Sequence, residues 1–517
     1  MKKNLLLFSR ELDFFANIYN NFSLKVKKKI NISAIFTSSE NITLQKFNFL
    51  AKNIKEYPNE NNIAKTVKPN NKIKISKYIK IFKYFIYMLD FYGTNRNIFS
   101  KKEKLSIFKI YINKTIDLLN EYSPNVIVFT HTPHELFDIV LIKVCELHKI
   151  KTVFPRGISI AGYYILQNKI NIKTQVKISE DKLILIKRKI IENKFTLNKN
   201  NIFLNYYLIK SQITERNNLF LKLFYILFLK TKYLYNILKI FIKITINFSN
   251  KIKLHNIIFS PDNIKYKNNQ KLIVNPLTNF QLEKIHYLAN KKKFDLLKVY
   301  NSKCYIKKID LQNKYIYFPL WFQPSSTLYP YADNFLNYLY SINLIRKNIP
   351  DNISLYIKES PDIFNISHHA WFRGSFVRSF EFYNKIYKMK NVFLVNFDIK
   401  DEDLIKKSMA VVTLCDKNFI KSYISKKPTI SLGNILVKKQ NGFFPCRNEQ
   451  DIQKALKAIQ KKITIKTFQV NKFLDQLFLN SFYKDSFSNK NKFTKLVNYN
   501  SKVNYKHISR LFSFMIK

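Results

Sequence analysis

Glycine is scarce in this chain, with six in 517 residues. So few glycines exclude a collagen-like or glycine-rich chain and leave little room for a Gly-x-Gly-x-x-Gly dinucleotide loop. Cysteine is rarer still, with four. Cys145, Cys304, Cys415 and Cys446 stand far apart, with no Cys-x-x-Cys pair and no histidine at ligand spacing. That pattern gives neither a zinc site nor a disulfide framework, and it fits a reducing compartment. Acidic residues are outnumbered, 34 against 89 Lys and Arg, for a formal charge of +55. Long uncharged apolar runs are missing too, none reaching the ~18 residues of a membrane-spanning helix. The first apolar run, Leu5–Phe8, ends against Arg10 and Glu11. It reads as a buried first strand, not as the core of an export signal.

What is present is a large core. Hydrophobic residues make up 46% of the chain and aromatics 15%, which excludes a disordered basic tail. At one domain per ~150 residues the length suggests about three units. The positive excess is mostly Lys and travels with abundant Asn, Ile, Phe and Tyr, the mixture that AT-rich codons produce. No helix-turn-helix, zinc-finger or RNP-like aromatic motif accompanies the charge, so no nucleic-acid partner is expected.

Residues 124–154 read as a parallel strand–helix–strand unit. Asn125–Thr130 is an apolar run of strand length, and Thr132-Pro133-His134-Glu135 reads as a helix start with Thr as cap, Pro first and Glu closing a capping box. Leu136, Phe137, Val140, Val144 and Leu147 supply a helical apolar face, and Lys151–Phe154 is the next strand. With Leu5–Phe8 and Ile32–Thr37 this predicts an N-terminal α/β domain. The second half alternates the same way. Strands are expected at Tyr315–Leu320, Ile353–Ile357, Val392–Val395, Ala410–Leu414 and Pro428–Leu432. Helices are expected near Ala332–Arg346, Phe376–Tyr387, Asp401–Met409, Asn418–Ser425 and Asp451–Lys461. The fold class is therefore α/β, with an N-terminal α/β domain and a doubly wound parallel sheet in the second half. Between them, 200–265 reads as a basic amphipathic helical insertion, with lysines at 222, 230, 232, 239 and 243 among aromatic and aliphatic residues. Such a segment can lie on anionic lipid or pack inward, and Tyr78–Tyr92 has the same character. The domain reading is 1–199, 200–265, 266–470 and a C-terminal tail, 471–517.

In open α/β sheets ligands bind beyond the carboxyl ends of the strands. That rule selects Trp321–Thr327, including Gln323, then Lys358, Glu359 and Ser360, Asn396 and Asp398, Cys415, Asp416 and Lys417, and Gly433 with Asn434. Amide, carboxylate, hydroxyl and ammonium groups together suit the sugar and phosphate of a nucleotide, and general acid–base work. Asp401-Glu402-Asp403 matches a metal-binding Asp-x-Asp, yet it opens a helix, where acids favour the dipole; His368-His369 has no third ligand. No metal site is expected.

Tyr-Phe-Pro-Leu-Trp-Phe-Gln-Pro-Ser-Ser-Thr (317–327), Tyr-Ile-Lys-Glu-Ser-Pro (356–361), Arg373 through Tyr383 with Asn391–Val395, and Lys-Pro-Thr-Ile-Ser-Leu-Gly (427–433) follow one another in order. In that order and spacing they resemble bacterial capsule polysaccharide biosynthesis proteins, a family that includes capsule Kdo transferases. Ser9–Asp13 and Thr132–Glu135 fit related surface-carbohydrate proteins. Two departures stand out. Ser360 replaces the family's His, and Cys415–Lys421 lacks both glycines and the glutamate of the family stretch that follows Thr413.

The resemblance implies two Rossmann-like doubly wound domains facing a cleft, the frame of a metal-independent GT-B-type glycosyltransferase of capsule or other surface polysaccharide synthesis. It would use a nucleotide-sugar donor (CMP-Kdo among the candidates) and a lipid-linked or oligosaccharide acceptor. Gln323, Lys358, Ser360, Arg373, Thr413, Lys417 and Gly433 would line the donor side. Glu359, Glu11 and Asp13 are the candidate catalytic carboxylates, and His134 stands on the acceptor side. No other cofactor is implied. The expected location is the cytoplasm, peripheral on an anionic membrane surface, among other polysaccharide-assembly proteins. The departures motivate an alternative, a catalytically degenerate member acting as a binding or scaffold protein.

Overall fold

The computed structural model describes residues 2–9, 12–37, 54–56, 75–82, 85–86, 101–133, 135–157, 163–167, 264–267, 271–274, 292–304, 309–323, 328–364, 378–433, 435, 440–479, 481–483, 508–509 and 512–513. The insertion read at 200–265 therefore lies almost wholly outside the described residues.

The first sheet has seven strands: β1 (Lys3–Ser9), β2 (Ile30–Thr37), β3 (Ile54–Glu56), β4 (Val126–Phe129), β5 (Lys151–Gly157), β6 (Tyr163–Gln167) and, from far along the chain, β15 (Ser481–Tyr483). Their order is β15-β6-β5-β4-β1-β2-β3, parallel from β3 to β5, with β6 and β15 antiparallel at one edge. A short antiparallel pair, β7 (Ile264–Lys267) and β8 (Lys271–Val274), stands apart. The second sheet contains β9 (Tyr315–Pro319), β10 (Ser354–Lys358), β11 (Val392–Leu394), β12 (Ala410–Thr413), β13 (Thr429–Ser431) and β14 (Phe443–Pro445). It is parallel throughout in the order β11-β10-β9-β12-β13-β14. Counted from its own first strand this is 3-2-1-4-5-6, the Rossmann order. The chain thus holds two parallel α/β sheets.

Burial on both faces explains why these strands are continuous apolar runs and not alternating ones. In β1, Leu5 and Leu7 enter one cluster with Phe15, Ile18 and Val128, while Leu6 and Phe8 enter the main core. In β9, Tyr315 and Tyr317 pack with Tyr356 and Leu404, while Ile316 and Phe318 point into the main core. That core includes buried residues from both sheets. The helices used below are α1 (Leu12–Asn20), α2 (Lys101–Tyr122), α3 (Leu136–Leu147), α4 (Tyr338–Asn348), α5 (Phe380–Lys388), α6 (Asp401–Lys407), α7 (Asp416–Ile424), α8 (Glu449–Gln460) and α9 (Thr467–Leu479).

Two local expectations differ from the structure. Helix α3 is capped by Glu135, not Thr132, because Asp138 sits three residues on and its Oδ2 accepts the Glu135 N–H at 3.3 Å. Leu147, placed on the apolar face, is 44% exposed, since the helix has ended its packing by Cys145. Tyr78–Tyr92, read as either lipid-facing or inward-packing, does both in its described part: Tyr78, Ile81, Phe82 and Phe85 are buried, Phe82 and Phe85 meeting Phe108 of α2 at 5.2 Å, while Ile79 is exposed. Within 471–517, β15 pairs with β6, and Ser509 donates to the Ile18 carbonyl, so this stretch returns to the first sheet. Among the described residues no helix is long and apolar enough to cross a membrane.

Glycine poverty shows in the helix ends. Lys149, Lys426 and Lys462 occupy the left-handed region at φ 56–57° just beyond α3, α7 and α8, where glycine is the usual choice. The hydrogen bonds of the motif are made regardless: Ile150 N–H reaches the Cys145 carbonyl at 2.9 Å, and Lys427 N–H the Ser422 carbonyl at 2.9 Å.

Candidate functional site

In the second sheet the strand order reverses between β9 and β12, which places the candidate crevice beyond Pro319 and Thr413. The first sheet reverses between β1 and β4, beyond Ser9 and Phe129. The two sheets meet near these ends. The Arg156 guanidinium, at the carboxyl end of β5, lies 3.5 Å from the ring centre of Tyr331, in the turn that follows the β9 loop.

Glu359 directly follows β10, and its side chain is fully buried. Its carboxylate accepts from Arg378 Nε at 2.6 Å and Nη2 at 3.2 Å, from Tyr383 Oη at 3.0 Å and from Ser360 N–H at 3.0 Å. Arg378 Nη1 donates to Gln323 Oε1 at 2.8 Å, and Gln323 Nε2 to the Leu336 carbonyl at 2.9 Å. The guanidinium also lies 4.8 Å from the Phe382 ring centre and 5.0 Å from that of Tyr338. Tyr300 completes the group, donating to the Val395 carbonyl at 2.6 Å and accepting the Glu359 N–H at 3.1 Å. Burial works against the charged guanidinium, but the Glu359 carboxylate more than offsets this and holds Arg378 above its ordinary range. Tyr383 is pushed well above the phenol range by burial and then by the Glu359 charge, so it remains a donor. The strand-end rule places Gln323 and Glu359 in one crevice, and in the structure Arg378, inside the 373–383 block but not singled out there, joins them. Arg378 stands immediately before Ser379, whose hydroxyl caps α5 by accepting from Phe382 N–H at 3.1 Å. A basic residue next to a Ser cap and five residues from a tyrosine was the available signal.

Lys358 turns the other way. Its ammonium donates to the Ile399 carbonyl at 2.6 Å and to Asp401 Oδ1 at 2.8 Å, and Tyr317 Oη donates to the same oxygen at 3.2 Å. Asp401 thus lies in the first turn of α6 as its dipole favours, but Lys400 is the cap and the carboxylate is bound by side chains. Burial raises the Asp401 carboxyl, yet the charges of Lys358 and Lys421 with the two hydrogen bonds outweigh it and hold it below the usual carboxylate range. Thr413, buried at the end of β12, accepts the Cys415 N–H at 3.1 Å where α7 begins. Gly433 follows β13, and a Cβ there would fall 2.3 Å from the Leu414 carbonyl oxygen, so this position is closed to any other residue without backbone movement.

On the first sheet, Ser9 Oγ and Thr130 Oγ1 are 3.0 Å apart across the β1–β4 reversal. His131 follows, with Nε2 3.4 Å from Asp138 Oδ2. His131 is 7% exposed and Asp138 is fully buried. A histidine directly after an apolar strand, with an Asp in the next helix's first turn, is the signal that attention to His134 missed. His134, Glu11 and Arg373 lie outside the described residues, and Asp13 and Lys417 fall within α1 and α7 with their side chains outside the description. Among the described residues no three His, Cys, Asp or Glu side chains gather as metal ligands.

No protein-family model matches the chain. The curated protein Ycf2 of Physcomitrium patens is 27% identical over 347 residues, covering 58% of this chain. The chain spans 14% of that relative's length. Among solved structures, the UDP-GlcNAc 2-epimerase of Methanocaldococcus jannaschii superposes with a TM-score of 0.24 at 13% identity, covering 93% of this chain and 98% of its own. An apo structure of OtsA gives 0.26 at 9% identity, covering 99% of both chains. At such scores the superpositions carry no argument, and the architecture rests on strand order alone. By that order the chain belongs to the α/β proteins built from two Rossmann-type parallel sheets.

Proposed function

We propose that the protein transfers a glycosyl group from a nucleotide sugar to a hydroxyl acceptor, in capsule or other surface polysaccharide synthesis. One observation carries the reading. Two Rossmann-type sheets in one chain meet near the carboxyl ends of their strands, joined by the Arg156–Tyr331 contact. This is the arrangement implied by the motifs at 317–327, 356–361 and 427–433. The second sheet would hold the donor at the β9–β12 reversal, with the start of α7 near the phosphates. Arg373 and Lys417 remain candidate phosphate or sugar-acid contacts. The first sheet would hold the acceptor, where His131 joins Glu11, Asp13 and His134 as candidate bases.

His131 would do this work with its proton on Nε2, 3.4 Å from Asp138 Oδ2, and Nδ1 as the basic atom. The base would take the acceptor hydroxyl proton as oxygen attacks the anomeric carbon, while the carbon–oxygen bond to phosphate breaks and the nucleotide leaves with the electron pair.

The test is incubation of the full chain with uridine and cytidine nucleotide sugars, CMP-Kdo included, and lipid-linked or oligosaccharide acceptors. Nucleotide release that depends on acceptor is expected. His131→Asn should lower kcat about 10²–10⁴-fold with little change in donor affinity. Absence of release across the panel, together with absence of nucleotide binding, would refute the reading.

A second reading has its own support. Gln323, Lys358 and Glu359 all spend their polar groups on protein partners. A scaffold that keeps the architecture without donor chemistry accounts for this. Co-purification with partner transferases in the absence of nucleotide affinity would favour it.

A further inference from the structure

The amino ends of the first sheet's parallel strands form a second surface, at the far end of β1 from Ser9. Four segments converge there. Lys3 N–H donates to the Lys29 carbonyl at 2.8 Å, joining the start of β1 to the loop before β2. Asn4 N–H reaches Asn125 Oδ1 at 2.8 Å and Lys151 N–H the Asn125 carbonyl at 3.3 Å, which adds the start of β5. His148, just before β5, stacks on Tyr78 at 6.0 Å, accepts or donates to its hydroxyl at 2.9 Å, and has Lys77 Nζ at 3.5 Å.

These segments share a composition. Residues 2–9, 21–31, 75–82 and 148–151 contain Lys2, Lys3, Lys25, Lys27, Lys28, Lys29, Lys77, Lys80, Lys149 and Lys151, with no Asp, Glu or Arg. The lysines are close enough to affect one another. Burial lowers the Lys151 ammonium, and the charge of Lys3 lowers it further. Apolar side chains stand exposed among them: Leu24 at 75%, Ile79 at 51% and Leu147 at 44%. Two of the six large hydrophobics that the described surface exposes are in these segments, and Leu147 directly precedes one of them. The helical turn Leu24–Lys27 buries none of its residues. Among the described residues none covers Leu24, which stands exposed within a run of lysines.

We propose that this face docks on an anionic lipid surface, lysines at the headgroups and Leu24 with Leu147 entering the boundary with the acyl chains. Lipid is favoured over nucleic acid by the exposed aliphatic side chains and by the absence of arginine, whose planar fork suits phosphodiester recognition. The surface is distinct from the basic segment at 200–265 and independent of any glycosyl-transfer activity.

The experiment is flotation of the full chain with phosphatidylcholine vesicles, with and without phosphatidylglycerol. Three proteins are compared with the parent: Lys25→Gln/Lys28→Gln/Lys29→Gln on this face, Lys454→Gln/Lys457→Gln/Lys461→Gln on the exposed side of α8 and just beyond it, and Leu24→Gln. At about fivefold per lysine, the first triple should lower partitioning onto anionic vesicles about 100-fold. Leu24→Gln should lower it about tenfold and keep its effect in high salt. The second triple carries the same charge change and should leave partitioning nearly unaltered. Equal losses from the two triples would overturn the proposal, since the total charge would then be responsible. So would no loss from the first triple, or a greater loss of binding to duplex RNA than to vesicles.

Discussion

Replacing Glu359 by Gln tests whether the carboxylate is a structural lock or a reacting group. The carboxylate is fully buried and accepts four hydrogen bonds, two of them from an arginine that is itself 1% exposed. The amide preserves shape and one acceptor but removes the charge, leaving the Arg378 guanidinium unneutralised among Phe382, Tyr338 and Gln323. Removing one member of a buried pair costs about 3–5 kcal/mol, a large part of the ~5–15 kcal/mol that holds a domain together. Urea unfolding followed by circular dichroism, with hydrogen exchange of the β9 and β10 amides, should show the second sheet destabilised by that amount. Glu359→Leu combined with Arg378→Met should recover a substantial share of the loss, because an apolar pair of similar volume leaves no charge unpaired. An Glu359→Gln protein that unfolds within about 0.5 kcal/mol of the parent would refute the lock, all the more if turnover were lost.

Other outcomes follow from the same geometry. Asp401 has a carboxyl held below its unfolded value, so it contributes stability above about pH 4 that is lost as pH falls through the lowered folded value. Asp401→Asn should therefore be less stable than the parent at pH 7, with the gap closing in acid, as read from urea midpoints across pH 3–7. Gly433→Ala drives a methyl into the Leu414 carbonyl and should destabilise by about 1–3 kcal/mol in the same assay. Lys462→Gly relieves a left-handed lysine and should raise stability by about 0.5–1 kcal/mol, whereas the same change in mid-helix, as at Lys457, should lower it. Cys304 and Cys446 are buried, with thiols pushed up to about 12 by burial, so both should resist a thiol reagent at pH 8 until the protein is unfolded.

The strands that lie buried on both faces could be read from the chain to within a residue or two. Tyr315–Leu320 was expected and Tyr315–Pro319 found, Ala410–Leu414 expected and Ala410–Thr413 found. A continuous apolar run is its own signal there. Three of the short strands, β3, β14 and β15, carry no such run, and β15 is held by a partner more than three hundred positions earlier, which no local pattern records. The polar residues were harder for a different reason. Position at a strand end selected Glu359, Gln323 and Lys358, but not which way each side chain turns. Glu359 and Gln323 close around Arg378, while Lys358, one residue before Glu359, points to Asp401 beneath α6. Alternation along the strand fixes that divergence, and it becomes visible only once the sheet's layers are assigned. Arg378 itself lay within the motif block headed by Arg373, five residues from the arginine that drew attention.

The return of the chain to its first sheet bears on how the protein is made. Strand β6 waits for β15, and Ser509 closes onto Ile18 across 491 residues. A ribosome adding about 5–20 residues per second leaves β6 as an open edge for about 15–60 s while the next ~300 residues emerge. During that interval Tyr164 and Leu166 present an unpaired strand to any neighbouring nascent chain, the condition under which edges join the wrong partner. Production of this protein should therefore be limited by synthesis crowding and by access to chaperones more than by the stability of the finished fold. Residues 481–483, made more than three hundred positions after β6, are the ones that end its exposure.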